Sequence, residues 1–141
     1  MKTRTLMAAL GYAGLLPFYL SALWALLAGP HHDAAARVFL IYATVILSFL
    51  GGTLWGYAVS LPSPEKLYRI GLSNAVALFA ATSALLGTTL VAIVLLGLGQ
   101  LSLLLYERTV GDSSGWYLAL RTRLTVAALP AHLLMALYYL R

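Results

Sequence analysis

The sequence predicts an all-α integral membrane protein: a single bundle of about five transmembrane helices over residues 1–141, with the amino terminus inside and the carboxyl terminus outside. Three observations lead there. The chain is 62% hydrophobic and only 9% charged, against roughly 25% charged residues in soluble domains, and its mean hydropathy is +0.89. Its apolar residues come in runs long enough to cross a bilayer, which takes about 20 residues. Its basic residues gather at alternate ends of those runs. A chain so poor in charge cannot cover a water-facing surface, so lipid, partner proteins or both must cover it.

The first span is residues 6–28 and ends at Gly29-Pro30, a helix stop. A signal peptide would have an apolar region of about 7–15 residues. This run is longer and contains Pro17 and Trp24, so cleavage is not expected, and no transit peptide is evident. After His31 and His32, Asp33 reads as the N-cap of the second span, residues 34–61, which Pro62 ends. Ser63 as N-cap and Pro64 as first helical residue restart the helix.

From Tyr68 to Tyr106 the chain is apolar almost throughout. One helix of that length would be about 58 Å long, and the hydrocarbon core is about 30 Å thick. The chain must therefore fold back, and Gly87-Thr88-Thr89 is the place, giving spans at 68–86 and 89–106. A polar connector, residues 107–115, leads to the last span, 120–140. With five spans, one side holds Lys2, Arg4, Lys66, Arg69, Arg108, Arg121 and Arg123, and the other only Arg37 and Arg141. Cytoplasmic loops carry such an excess. A four-span arrangement would place the connector outside and lose the asymmetry. Aromatic residues, among them Tyr57, Tyr68, Tyr106 and Trp116 inside and Trp24, Phe39, Tyr42 and Tyr139 outside, fall near the borders, as in headgroup belts.

The net charge of +5 reflects this orientation and not a nucleic-acid surface. With no cysteine, thiolate metal sites, disulfides and cysteine nucleophiles are excluded. The four acidic residues all lie outside the spans, and no Ser-His-Asp order, HExxH or P-loop occurs, so neither an enzyme nor a bound cofactor or metal is expected.

Small residues come next. Gly52 and Gly56, preceded by Gly51, form a GxxxG pair, and Ser73, Ala77 and Ala81 run along one face of the third span. Helices in lipid associate through close backbone approach, which small side chains permit. The ordinary role is packing inside this bundle; the sharper one is contact with another subunit. Ser48, Asn74, Gln100 and Thr125 are polar residues within spans, where an unpaired polar group costs several kcal/mol, so each is expected to face the bundle interior. His132 lies half-way along the last span, two residues after Pro130. It is a candidate proton carrier or haem ligand, although a lone histidine is a poor metal site; its ordinary role is to serve the backbone irregularity at Pro130. Arg121 and Arg123 read as interfacial anchors; the alternative for them is an anionic head group or a partner acid, with Glu107 and Asp112 as the nearest counter-ions.

Three stretches together resemble a known family. They are Gly11-Tyr12-Ala13-Gly14-Leu15-Leu16-Pro17-Phe18, then Tyr42 through Ile46-Leu47-Ser48-Phe49-Leu50-Gly51-Gly52-Thr53-Leu54-Trp55-Gly56, then Trp116-Tyr117-Leu118-Ala119-Leu120-Arg121 with Leu124-Thr125. The family is the uncharacterised bacterial one related to mitochondrial transmembrane protein sixty-nine. The resemblance implies about five spans in a bacterial inner membrane, or in the mitochondrial inner membrane for a eukaryotic source, and brings no established activity. It highlights Ser48, Gly51, Gly52, Trp55, Gly56, Trp116, Arg121 and Thr125. The chain departs from the family at Gly71-Leu72-Ser73-Asn74, where a serine–proline element is usual.

Two functions follow as expectations. The first is an accessory, assembly or stabilising subunit of a larger membrane complex, with membrane lipids and a protein partner or second copy as its contacts. The second is a binding or transport protein for a small lipophilic or anionic molecule, such as a quinone or lipid head group. There Trp55, Asn74, Gln100, Arg121 and Thr125 would line one inward-facing cleft. A redox or proton-handling role for His132 ranks third.

Overall fold

The computed structural model describes residues 2–27, 29, 32–110 and 115–141, and all regular structure among them is helical. The helices are α1 (Thr3–Ala13), α2 (Leu16–Leu27), α3 (His32–Ala58), α4 (Glu65–Leu86), α5 (Thr89–Val110) and α6 (Gly115–Tyr139). His31 and Asp112 lie outside the described residues.

Proline shapes the first rod. Pro17 has no N–H and its ring opposes the carbonyl four residues back, so the helix breaks at Gly14-Leu15. The Gly14 carbonyl, left over at the break, accepts a hydrogen bond from the Tyr42 hydroxyl at 2.6 Å. Tyr42 also meets Phe18 edge-on, ring centroids 4.9 Å apart, and Phe39 is fully buried. These two rings therefore belong to the core and not to the outer headgroup belt expected from their position. At the next boundaries the caps differ from expectation. Helix α3 starts at His32, with Asp33 inside its first turn, where a carboxylate favours the helix dipole. Pro64, not Ser63, takes the N-cap position of α4.

Helices α4 and α5 fold back at Gly87-Thr88, with the expected limits at Leu86 and Thr89. Helix α5 continues one turn past Tyr106, however, and α6 begins at Gly115. Glu107 is thus a helical residue and not part of a connector.

Neighbouring helices run antiparallel. Arg4 lies over Trp116 at one end of the bundle, as Arg69 does over Tyr57. Tyr139 donates to Asp33 at the other end. Helix α3 is central and packs on α2, α4 and α5, while α6 packs on α5 and α2. Helix α1 has no buried residue and touches the rest mainly through α6. Large apolar side chains on the surface outnumber those inside, and several, such as Leu27, Leu85 and Leu86, are more than three-quarters exposed (76%, 81% and 82%). Among the described residues, four helical stretches are long and apolar enough to cross a membrane: Thr3–Leu27, His32–Ala58, Glu65–Leu86 and Thr89–Val110. Helix α6 has the length, 25 residues, but Arg121, Thr122, Arg123, Thr125 and His132 dilute its hydropathy.

Small residues do set the approach of α3 to α4, along a different line from the one expected. A Cβ at Gly51 would stand 2.8 Å from Val76 Cγ1 and 3.3 Å from the Ser73 carbonyl oxygen. Gly52 and Gly56 would meet nothing within 4 Å; each residue turns the helix by about 100°, which takes Gly52 off the contact. On α4 the buried positions are Arg69, Ser73, Ala80 and Ser83, while Ala77 and Ala81 flank them half-buried. Steps of four alone drift by about 40° each, so a line of contact alternates steps of three and four.

This assigns opposite behaviour to adjacent glycines. Gly51→Val is expected to lower stability in detergent by about 1–3 kcal/mol, the usual cost of overpacking. Gly52→Val should stay within about 0.5 kcal/mol. Thermal unfolding of the two variants checks this, and equal losses would mean that α3 meets α4 differently.

Candidate functional site

The facing sides of α5 and α6 carry a column of polar side chains. On α5, Gly97, Gln100, Leu104 and Glu107 recur at helical spacing on one face, and all are buried. On α6 the buried set includes Arg121, Thr125, Ala128 and His132. Arg121 Nε donates to Glu107 Oε2 at 3.0 Å, and Nη2 stands 3.0 Å from the same oxygen without making a hydrogen bond. Nη1 donates to Thr125 Oγ1 at 3.4 Å. The two charged side chains are only 5% and 6% exposed. Arg121 is therefore paired inside the bundle. Of its two expected counter-ions, Glu107 takes the role, and Asp112 lies outside the described residues.

Deeper along the column, Gln100 is 1% exposed, and its Nε2 makes no hydrogen bond to another protein group. His132 lies between Phe18 and Phe39, with ring centroids 5.1 and 4.9 Å away. Its Nδ1 is 3.2 Å from the Ala128 carbonyl oxygen. Pro130 deprives the Val126 carbonyl of a donor, so the imidazole does not serve the carbonyl expected of it. The Tyr19 hydroxyl donates to the neighbouring Ala127 carbonyl. Gly97 leaves room for the imidazole, since a Cβ there would lie 3.2 Å from its ring.

Two adjoining cavities open beside this column. The first, about 630 Å³, is lined by Arg4, Met7, Thr53, Arg69, Glu107 and Trp116 among others. The second, about 410 Å³, is lined mainly by apolar side chains such as Leu10, Phe18, Phe49 and Leu124, with Gln100, Arg121 and Thr125 in its wall. Met7, Thr53 and Tyr117 line both. The cleft exists because α1 leans on α6, where Gly11 meets Leu124, and packs little against α3. Its first part has Arg4, Arg69 and Glu107 in its lining, and Glu107 is shared with Arg121.

Of the residues expected to share a cleft, Gln100, Arg121 and Thr125 do, and Trp116 lines its basic part. Trp55 and Asn74 do not. Trp55 is exposed on the outer face of α3. Asn74 is exposed on α4, and its Nδ2 donates to the Ile70 carbonyl at 2.9 Å, so its own helix answers the amide and it need not turn inward. Ser48 is half-buried and borders neither cavity. His132 also lines neither. Arg4, Tyr57 and Arg69 were missed as site residues, and Glu107 was expected only as a counter-ion of Arg121. Arg4 and Arg69 read as topology charges, yet Arg69 lies one turn before Ser73 on the packing side of α4, and Glu107 lies two turns from Gln100.

The family model described as protein of unknown function (DUF3429) matches residues 3–137. Transmembrane protein 69 of Xenopus tropicalis is 36% identical over 124 residues, 84% of this chain and 49% of that protein. The chain thus spans about half the length of the curated relative. No solved structure matches.

Removing one member of a buried ion pair leaves the other charge uncompensated, at a cost of about 3–5 kcal/mol, whereas an apolar pair of similar volume is often neutral. Glu107→Leu and Arg121→Met are each expected to destabilise by that amount and the double variant to recover most of it. A double-mutant cycle of unfolding in detergent measures the coupling, and additive losses would deny the pairing.

Proposed function

We propose that this chain, which belongs to the family of membrane proteins described as protein of unknown function (DUF3429), holds an anionic amphiphile of the bilayer in the cleft beneath α1. The observation that carries this reading is the join between the two cavities. One end has Arg4 and Arg69 in its wall, and the other is walled by aliphatic and aromatic side chains. A phosphate or carboxylate head suits the first, since guanidinium forks match such groups, and an acyl or isoprenoid body suits the second. The chain has no reaction of its own in this reading; it binds or moves its ligand.

The reading includes a topology. Helix α6 is taken as a fifth span, its polar residues turned onto α5 and away from lipid. Lys2, Arg4, Lys66, Arg69, Arg108, Arg121 and Arg123 then lie on the cytoplasmic side of a bacterial inner membrane, and the basic end of the cleft opens there. In a eukaryotic source the mitochondrial inner membrane takes its place. Reporter fusions at residue 113 should read cytoplasmic, and fusions after Arg141 should read periplasmic. The reverse pattern would remove the argument for a cytoplasmic mouth.

A second reading, an accessory subunit of a larger complex, is favoured by one observation. Gly52 and Gly56 leave the outer face of α3 open to close approach by another helix. Native mass spectrometry separates the two, because the accessory role needs a protein partner that Gly52→Leu and Gly56→Leu release.

For the cleft, the measurement is thermal shift and native mass spectrometry with phosphatidylglycerol against phosphatidylcholine. Phosphatidylglycerol is expected to bind and stabilise. At about 1 kcal/mol for each basic side chain near an anionic group, Arg4→Ala with Arg69→Ala should weaken it roughly ten- to thirty-fold. Equal binding of the two lipids, unchanged in the double variant, would defeat the proposal.

A further inference from the structure

We infer that the cleft opens sideways into the bilayer, through a slot between α1 and α3 rimmed by Leu10 and Phe49. Helix α1 is the movable wall of that slot, and the amphiphile enters from the lipid of its own leaflet. The inference rests on the cleft being a ligand site, and it deepens that reading by naming the entrance.

The exposure of the lining locates the slot. Most residues around the 410 Å³ cavity are buried or half-buried. Those on α5 and α6, such as Gln100, Leu120 and Ala128, form its floor. The exposed lining residues are Met7 and Leu10 on α1 and Phe49 on α3. Leu10 is 63% exposed and Phe49 67%. A side chain that borders a cavity and also meets the surroundings stands at its mouth. The mouth therefore lies where α1 and α3 pack little against one another. Depth shows what is outside it. Leu10 comes seven residues after the start of α1, and Phe49 nine before the end of α3, about 10 and 14 Å along the axes. Both of those helix ends belong to the end of the bundle where Arg4 meets Trp116 and Arg69 meets Tyr57. Half of the hydrocarbon core is about 15 Å, so the slot faces acyl chains while Arg4 stands at the border. A lipid outside already has its tail and head at these two depths. It slides in without turning over and without crossing water.

Helix α1 is placed to move. It has no buried residue, whereas each of the other five helices has at least four. Its packing is mainly on α6, with Gly11 against Leu124 and Arg4 over the Trp116 ring, 5.6 Å from its centroid. Its far end is pinned, because the Gly14 carbonyl accepts the Tyr42 hydroxyl of α3 at 2.6 Å. Beyond the break at Gly14-Leu15, α2 is anchored by buried Phe18, Ser21, Ala22 and Ala25. A rod held at one end and loosely packed along its length pivots at the held end. Swinging α1 uncovers no buried side chain of its own. Its apolar surface meets lipid in either position, and lipid tails are as apolar as a neighbouring helix, so no hydrophobic force opposes the motion.

The chain has no cysteine, so Leu10→Cys with Phe49→Cys puts two unique thiols on the rim. The full chain in phosphatidylcholine nanodiscs is strapped across them with a reducible bis-maleimide, and the same variant capped with N-methylmaleimide is the reference. The probe is fluorescent phosphatidylglycerol. A gate changes rates and not the equilibrium, so a strap closed on the empty protein is expected to slow uptake roughly ten-fold or more, and one closed on the loaded protein to slow release alike. Reducing the strap should restore both rates. Failure of the thiols to join within one chain would place them apart and overturn the slot. Spin labels at Leu6→Cys and Trp55→Cys report α1 against α3, and labels at Trp55→Cys and Leu105→Cys report α3 against α5. The first pair is expected to show two distances whose populations shift with phosphatidylglycerol, and the second pair one. A single distance for the first pair, the same with and without lipid, would overturn the movable wall. If the strap leaves both rates unchanged, the slot is refuted and the lipid enters by the head-group end. The cleft itself still stands in that case, provided that binding depends on Arg4 and Arg69. If phosphatidylglycerol binds no better than phosphatidylcholine to the capped protein, the cleft reading falls, and its entrance with it.

Discussion

The ion pair of Glu107 and Arg121 holds the register in which α5 meets α6, and the rest of the interior depends on that register. A lone charge withdrawn from water costs several kcal/mol, so each side chain requires the other. Once they face one another, the antiparallel helices bring the rest of the column into step. Gly97 lies nearly as far from Glu107 along α5 as His132 lies from Arg121 along α6, and the two meet, with Gly97 under the imidazole. A slip of one residue would turn every partner by about 100°. It would point the arginine at lipid and press the histidine into a side chain.

Polarity falls along that column, and the fall organises the cleft beside it. At one end stand Arg4, Arg69 and the ion pair; in the middle stand Thr125 and Gln100; beyond them Phe18 and Phe39 close around His132. The same gradient occurs across one leaflet of a bilayer, from head group through carbonyl to hydrocarbon. Helix α1 completes the wall without burying any residue of its own. It is offset from α2 by the break at Gly14-Leu15, which Pro17 imposes and the Tyr42 hydroxyl satisfies. A straight, fully packed first helix would fill the space that the cavities occupy.

Much of this was legible in the sequence because lipid is a demanding solvent. Backbone groups in hydrocarbon must bond within their own helix, so apolar runs, prolines and the Gly87-Thr88 turn place the helices almost without reference to packing. The resemblance to a membrane family of unknown function rested on three stretches, and the family match covers nearly the whole chain. What was not legible was which face each helix turns inward. Asn74 reads as an interior residue because it is polar, yet an amide can bond to its own helix, and Asn74 does so with Ile70. Gly52 and Gly56 form a recognised pair, yet Gly51 makes the contact. Phe39 and Tyr42 sit at the depth of a headgroup belt, yet the gap beside Phe18 takes them in.

Glu107 shows why the partner of Arg121 was legible in the sequence but the burial of the pair was not. An acid just past an apolar run marks the end of a span by ordinary reasoning, and its neighbours Tyr106 and Arg108 support that reading. The deciding fact is that α5 continues through Val110, which puts Glu107 on the same face as Gln100 and Gly97. The continuation and the pair support one another. A helix end carrying a charge could fray into the interface, but a carboxylate bound to a buried guanidinium holds its turn in place, and the turn in turn holds the carboxylate. Sequence periodicity records only half of such an arrangement. The other half is a residue on α6, fourteen positions away, whose face toward α5 is fixed by Thr125, Ala128 and His132 together.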